Sequence, residues 1–220
     1  TLLQTPRYGS VNHVPHHNDR LRYVVLTIMH RGQRLTDQPF AAAYPGQLTD
    51  GIEQPSSYIY RDIIADCLRG ADFLLGRPEV DPERVAILGD DLALITAARR
   101  AGFGFVAVSG VSVQRDALYL YRMLDAAKTT SAYPLEEIND YLRRYPDSVD
   151  NIRRTLAYID PLHHMPAVTA KTRIDVKESG RIGGPEWVQP LADASGGPVE
   201  LYPVTHEGGT DQDRLDAWLA

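Results

Sequence analysis

Two adjacent carboxyl groups follow a short apolar segment in the first half of the chain. The segment Val85–Leu88 runs directly into Gly89-Asp90-Asp91-Leu92-Ala93. A short apolar run bounded in this way predicts a strand buried on both faces, and helical spacing begins at Leu92. Asp91, at this strand-to-helix turn, has two interpretations. It can act as a carboxylate nucleophile, or the two acids can begin a helix whose amino-terminal dipole favours negative charge.

Near the carboxyl end, His206 lies in a polar, glycine-containing stretch. A histidine can act there as a general base, or it can form a hydrogen bond within a loop. The sequence leaves both interpretations open. The grouped histidines, His13, His16 and His17 and the pair His163-His164, have no carboxylate or cysteine at a recognised ligand interval, so we expect no metal site.

The elements that must position these groups alternate along the chain. Apolar patterning predicts strands, in chain order, at 23–29, 85–88, 103–109, 170–176 and 198–204, and helices at 58–75, 92–100 and 211–219. Residues 34–56 are predicted to form a long loop, and about 114–157 a helix-rich insertion. Helix, strand, tight turn, helix and strand in succession are typical of a parallel sheet with crossover helices.

Length and composition restrict the class of protein. With 220 residues, 43% hydrophobic, the chain is expected to form a single domain spanning 1–220. A net charge of −6 without a cluster of Lys and Arg disfavours nucleic-acid binding. No apolar run approaches membrane-spanning length and no signal peptide is recognisable, so we expect no membrane partner. The one cysteine, Cys67, excludes an intrachain disulfide. The location is open, with the cytoplasm favoured.

Several segments resemble the acetyl xylan esterase and cephalosporin C deacetylase family, and they occur in the family's order. The turn after Val85–Leu88 stands where an α/β hydrolase has its nucleophile elbow, Gly-x-Ser-x-Gly. The other matching segments are Tyr8-Gly9, Arg31-Gly32-Gln33, Tyr60-Arg61-Asp62, Ala71–Leu74, Val80–Val85, Thr155–Asp160, and Tyr202-Pro203 with His206-Glu207. The resemblance covers the chain from about Tyr8 onward.

The resemblance implies a serine, histidine and aspartate triad, and two of its three positions are changed here. The family's serine falls on Asp91 and its aspartate on Gly180, whereas the histidine is kept as His206. Tyr8 and the backbone N–H of Leu92 occupy the positions of the oxyanion donors. Asp175 and Glu178 are near in sequence and could substitute for the missing acid, although neither stands at the family position.

The expected fold is therefore an α/β hydrolase, mostly parallel, with helices on both faces, and with the family's first strands absent before the matched segments. The preferred function is an esterase-like domain that is catalytically impaired or inactive and retained for scaffolding or assembly. The alternatives are an active deacetylase of acetylated sugars or small esters, and a hydrolase using Asp91 as nucleophile with His206. The resemblance implies no cofactor. It also implies a homo-oligomer, or a partner segment that completes the sheet.

Overall fold

The computed structural model describes residues 1–6, 8, 21–31, 45–108, 124, 134–179, 183–205 and 207–220. Its centre is one six-stranded sheet in which every strand pairs in parallel with its neighbour. The strands lie in the order β2-β1-β3-β4-β5-β6. They are β1 (Leu2–Gln4), β2 (Val25–Thr27), β3 (Ala86–Gly89), β4 (Phe105–Val108), β5 (Lys171–Val176) and β6 (Val199–Pro203).

Helices cover both faces of this sheet, as the sequence predicts. The α-helices are α1 (Ile59–Leu75), α2 (Asp91–Arg99), α3 (Glu136–Arg144), α4 (Val149–Ala157), α5 (Pro161–His164), α6 (Pro185–Ala194) and α7 (Gly208–Leu219). The larger hydrophobic cluster joins Ile87, Val106 and Ile174 of the sheet to residues of α1, α2 and α6. On the opposite face, Trp218 of α7 packs edge-on against Phe105 at a centroid distance of 5.4 Å.

The turn that follows β3 depends on a close backbone approach. A Cβ at Gly89 would overlap the hydroxyl of Thr5, which is the residue after β1. Thr5 is fixed because its N–H donates to the carbonyl of Leu88 at 3.0 Å. Glycine at this position therefore lets β1 and β3 stay paired up to the point where helix α2 begins.

Arg31, from the Arg-Gly-Gln segment, ties the exit of β2 to helix α1. Its guanidinium donates to both carboxylate oxygens of Asp66, at 3.0 and 2.7 Å, and to Asp62 at 3.2 Å. A bidentate ion pair of this kind fixes the orientation of the guanidinium as well as its distance from the carboxylate. Gly32 and Gln33 lie outside the described residues.

The part of the predicted insertion that the structure describes, 134–157 and Leu124, contains α3 and α4 joined by a 3₁₀ turn at Pro146–Ser148. The predicted loop is described from Pro45 onward, where a 3₁₀ turn spans Gln47–Thr49. Across the described ranges, no helix combines the length and the apolar character that crossing a membrane requires.

Candidate functional site

The strand-to-helix turn predicted from the sequence is present, and it carries both acidic residues. Strand β3 ends at Gly89, Asp90 caps the helix, and Asp91 is the first residue of α2. Both carboxyl groups are inside the protein, with Asp91 only 3% and Asp90 8% exposed. The turn lies at the carboxyl end of a parallel sheet, which is where open α/β sheets bind ligands.

The backbone N–H of Leu92 already has acceptors within the chain. It donates to Oδ1 of Asp91 at 3.0 Å and to Oδ1 of Asp90 at 3.1 Å. In an ester hydrolase the N–H at this position donates to the oxygen on which negative charge develops. Here that N–H instead donates to two side-chain carboxyl oxygens.

The surroundings of Asp91 favour its neutral form. Burial, and after it the charge of Asp90, raises the pKa of Asp91 well above its ordinary value, while the bond from the Leu92 N–H lowers it. A carboxyl group that keeps its proton to higher pH is a poorer nucleophile than an ordinary aspartate.

Tyr8 lies on the same edge of the sheet, because it follows β1, which pairs directly with β3. Its hydroxyl donates to Oε1 of Glu137, in α3, at 2.5 Å. The hydroxyl also accepts from the N–H of Leu48 at 3.1 Å. The only hydroxyl proton of Tyr8 is therefore used within the protein.

Two further buried tyrosines lie near both Tyr8 and the turn. The rings of Tyr58 and Tyr60 stack with centroids 5.5 Å apart. Burial raises the pKa of Tyr60 well above its usual range, and the charge of Asp91 and the phenol of Tyr8 raise it further. The phenols of Tyr58 and Tyr60 therefore lie near the carboxyl group of Asp91 at the elbow.

His206 and Gly180 lie outside the described residues, but the neighbours of His206 are described. The carboxylate of Asp211 accepts from the N–H of Thr205 at 3.1 Å, from its hydroxyl at 2.8 Å, and from the hydroxyl of Tyr202 at 2.6 Å. The N–H of Glu207 donates to the hydroxyl of Thr205 at 3.3 Å. The first turn of α7 therefore holds the residues on both sides of His206.

The two candidate substitute acids have different surroundings. Asp175 is buried in β5, where Nε of Arg173 donates to its Oδ1 at 3.3 Å. The same Arg173 stacks on the ring of Tyr202 at 3.7 Å, so this charge pair is enclosed between strands β5 and β6. Glu178 is exposed beyond the end of β5. Whether either acid acts on His206 stays a prediction.

Sequence reasoning did not identify Glu137, Leu48, Tyr58 or Tyr60 as parts of the site. Glu136 and Glu137 together are typical of a solvated first helical turn. The sequence pattern therefore does not indicate that Glu137, unlike Glu136, is buried. Within the described ranges, no group of three or more His, Cys, Asp and Glu side chains is placed to hold a metal ion.

A family model matches most of this chain. The model of the acetyl xylan esterase (AXE1) family matches residues 16–188. The chain belongs to the acetyl xylan esterase family. This match includes the elbow at 89–93 and the described part of the insertion, and it confirms the resemblance read from the sequence.

Solved structures agree with the family. The acetyl xylan esterase from Paenibacillus sp. R4 is 25% identical, with a TM-score of 0.78, covering 99% of this chain and 72% of that chain. Acetyl xylan esterase 1 from Thermoanaerobacterium sp. JW/SL YS485 is 22% identical, with a TM-score of 0.75, covering 99% and 74%. The acylaminoacyl peptidase of Pyrococcus horikoshii, at 16% identity and a TM-score of 0.60, covers 99% and 36%. The last two similarities concern the α/β-hydrolase fold alone.

Proposed function

We propose that this member of the acetyl xylan esterase family has impaired or absent ester hydrolysis and is retained for a scaffolding or assembly role. The observation that carries the proposal is the occupied N–H of Leu92, which donates to Asp91 and Asp90. A tetrahedral oxyanion placed there would have to displace a carboxyl oxygen and would lie beside a second one. A negative charge on either carboxyl group would repel the oxyanion in this buried site, so the transition state would be destabilised.

Loss of the serine removes the covalent step independently of the oxyanion donor. A carboxylate that attacks an acetyl ester forms a mixed anhydride, which is no more stable than the ester it replaces. Loss of the nucleophile in triad hydrolases removes most of the catalysis and leaves only a small residual rate. The acid position at Gly180 adds a third defect, because no side chain there can orient His206.

The test is hydrolysis of a chromogenic acetyl ester by the purified chain. We expect no turnover above a heat-inactivated control for the wild type, and detectable turnover for the double variant Asp91→Ser with Gly180→Asp. The variant His206→Ala, made in both backgrounds, is the matched control. Wild-type turnover that disappears in His206→Ala would contradict the proposal and favour an active deacetylase of acetylated sugars or small esters.

A hydrolase that uses Asp91 as nucleophile is the second candidate, favoured by one contact. Because the Leu92 N–H donates to Oδ1 of Asp91, the other oxygen is the one that would attack an electrophilic carbon. In that reaction the new C–O bond forms as a halide leaves or an epoxide opens, and water activated by His206 then cleaves the ester. Incubation with short alkyl bromides and epoxides, followed by peptide mass spectrometry, tests this. A covalent adduct on Asp91 that is absent from Asp91→Asn would support it.

The assembly role would use the exposed edge of the sheet. In the described part of the chain no strand pairs with the outer side of β2. Three large apolar side chains lie exposed at this edge: Leu21 is 71%, Val24 53% and Met29 42% accessible. An unpaired edge with apolar neighbours favours a pairing partner, either a second copy or another segment.

A further inference from the structure

Glu137 brings a buried carboxylate to the oxyanion side of the site, although it belongs to the distant helix α3. The side chain is 7% exposed. Its Oε1 accepts from the hydroxyl of Tyr8 at 2.5 Å, and its Oε2 accepts from the N–H of Leu48 at 2.9 Å. Both oxygens therefore bind groups from parts of the chain that are far away in sequence.

The 3₁₀ turn at Gln47–Thr49 is fitted closely around this carboxylate. A Cβ on Gly46 would overlap the carboxyl group of Glu137. On the other side of the turn, the hydroxyl of Tyr58 donates to the carbonyl of Leu48 at 3.0 Å. The peptide groups of Leu48 are thus held on both sides, by Glu137 through N–H and by Tyr58 through C=O.

The bond to Tyr8 has a separate consequence. Because the single hydroxyl proton of Tyr8 goes to Glu137, the hydroxyl cannot donate to an oxyanion. Tyr8 can then serve as an oxyanion residue only through its backbone N–H. Fixing the far end of the side chain limits where that N–H can lie.

We propose that Glu137 is the positioning residue of Tyr8, holding the phenol and through it the backbone of Tyr8 at the edge of the sheet where the elbow lies. This inference rests on Tyr8 standing at the oxyanion position. It does not depend on whether the chain hydrolyses esters. A simpler role, in which Glu137 only fastens the turn at 47–49, requires the bond to Leu48 and not the bond to Tyr8.

The charges around Glu137 are consistent with a strong bond from Tyr8. The titratable groups that face it are Tyr8 after β1, Tyr58 before α1, and Glu136 in its own helix. Burial raises the pKa of Glu137, the bonds from Tyr8 and Leu48 lower it, and the charge of Glu136 raises it again. An O–H to carboxylate distance of 2.5 Å is at the short end of charge-assisted bonds, which are about 2.5–2.7 Å long.

Backbone amide signals from ¹⁵N NMR of the intact chain separate the two roles, because Tyr8 and Leu48 report independently. The variant Glu137→Gln keeps the side-chain shape, and Glu136→Gln is the matched control, since it changes an exposed neighbour in the same helix. We expect Glu137→Gln to move the amide signals of both Tyr8 and Leu48, and Glu136→Gln to move neither. If only the Leu48 signal moves, Glu137 merely fastens the turn and the proposal is wrong.

The Tyr8 hydroxyl proton gives a second measurement, which does not require the Glu137→Gln variant. A buried hydroxyl bonded to a carboxylate should give a slowly exchanging proton signal far downfield, assigned by its loss in Tyr8→Phe. We expect that signal to titrate together with the side-chain carboxyl carbon of Glu137. Absence of the signal, or titration of the two groups with different midpoints, would overturn the proposal even if Glu137→Gln does not fold.

Discussion

At the residue scale, Asp91 changes two properties of the elbow at once. By the family resemblance it stands where a serine hydroxyl is expected, and one of its oxygens accepts from the N–H of Leu92. It does so in a buried position beside Asp90, where a second negative charge is unfavourable. The carboxyl group should therefore cost stability whenever the solution favours its ionised form.

The first prediction concerns this pH dependence. Because burial raises the pKa of Asp91 in the folded state, the unfolded chain releases the proton first as pH rises above about 4. The stabilising contribution is complete below that pH and is lost as pH rises towards the folded pKa. We expect Asp91→Asn to raise the free energy of unfolding at pH 8 by about 1–3 kcal/mol, the usual range for relieving an unfavourable buried polar group.

Urea unfolding at pH 4, 6 and 8 measures this gain, which should shrink towards pH 4. Asp213→Asn, at an exposed acid in α7, is the control and should show no such trend. An Asp91→Asn variant that is equally or less stable at pH 8 would show that the native carboxyl group is ionised and well accommodated.

The sequence could locate Asp91 and Leu92 because a buried strand, a glycine and an amphipathic helix fix a tight turn using local information only. It could not locate Glu137. The bonds from Glu137 join residues 8, 48 and 137, and these meet only after the whole sheet has formed. Local patterning carries no information about such contacts, and a glutamate in the first turn of a helix is ordinarily solvated.

At the scale of elements, predicted and observed segments agree best where a strand or helix is long and apolar. The helix predicted at 58–75 is α1, Ile59–Leu75, and the strand predicted at 170–176 is β5, Lys171–Val176. Strand β1 was not predicted, since three residues are too few to show a period. Helix α6 was also missed, because Pro185 and Pro190 favour a turn. The helix forms with Pro185 as its first residue and Pro190 inside it.

The short helix α5 provides a prediction at this scale through His164. Its Nε2 donates to the carbonyl of Tyr158 at 3.0 Å, and its Nδ1 accepts from Arg99 at 3.2 Å. Burial, and after it the charge of Arg99, lowers the pKa of His164 below 6.5, so the unfolded chain takes up a proton first as pH falls. Stability from this group is present above pH 6.5 and is lost below it.

We expect His164→Gln to reduce the loss of unfolding free energy between pH 7 and pH 5 by on the order of 1 kcal/mol. Thermal unfolding across this range measures it, and His163→Gln, at the exposed neighbour, is the matched control. An unchanged slope in His164→Gln would mean that the buried ring accepts a proton as readily as a free one.

At the scale of the whole molecule, the two edges of the sheet are unequal. Strand β6 is followed by helix α7, which bonds to it through Tyr202 and Asp211. Strand β2 has the exposed side chains of Leu21, Val24 and Met29 around it. The family resemblance predicted a partner at this end of the sheet, and that partner stays a prediction.

We expect the purified chain to self-associate through the β2 edge as concentration rises, because association would cover the exposed apolar side chains there. Size-exclusion chromatography with light scattering measures this. Val24→Lys should shift the population towards the monomer. Phe73→Lys, which changes a similarly exposed apolar residue in α1, should not. A chain that stays monomeric at every concentration would contradict self-pairing and leave a different segment as the occupant.

The contact between Asp91 and the Leu92 N–H can also be described as a permanently bound product. The side chain of aspartate is a carboxymethyl group, which differs from the acetic acid released by an acetyl esterase only in the hydrogen that the bond to Cα replaces. A tethered and oriented group does not pay the loss of translational and rotational freedom that a free molecule pays on binding. Free acetate therefore binds this donor at a disadvantage to the side chain of Asp91. The elbow of this chain therefore resembles an esterase elbow that keeps a carboxylic acid bound at its backbone donor.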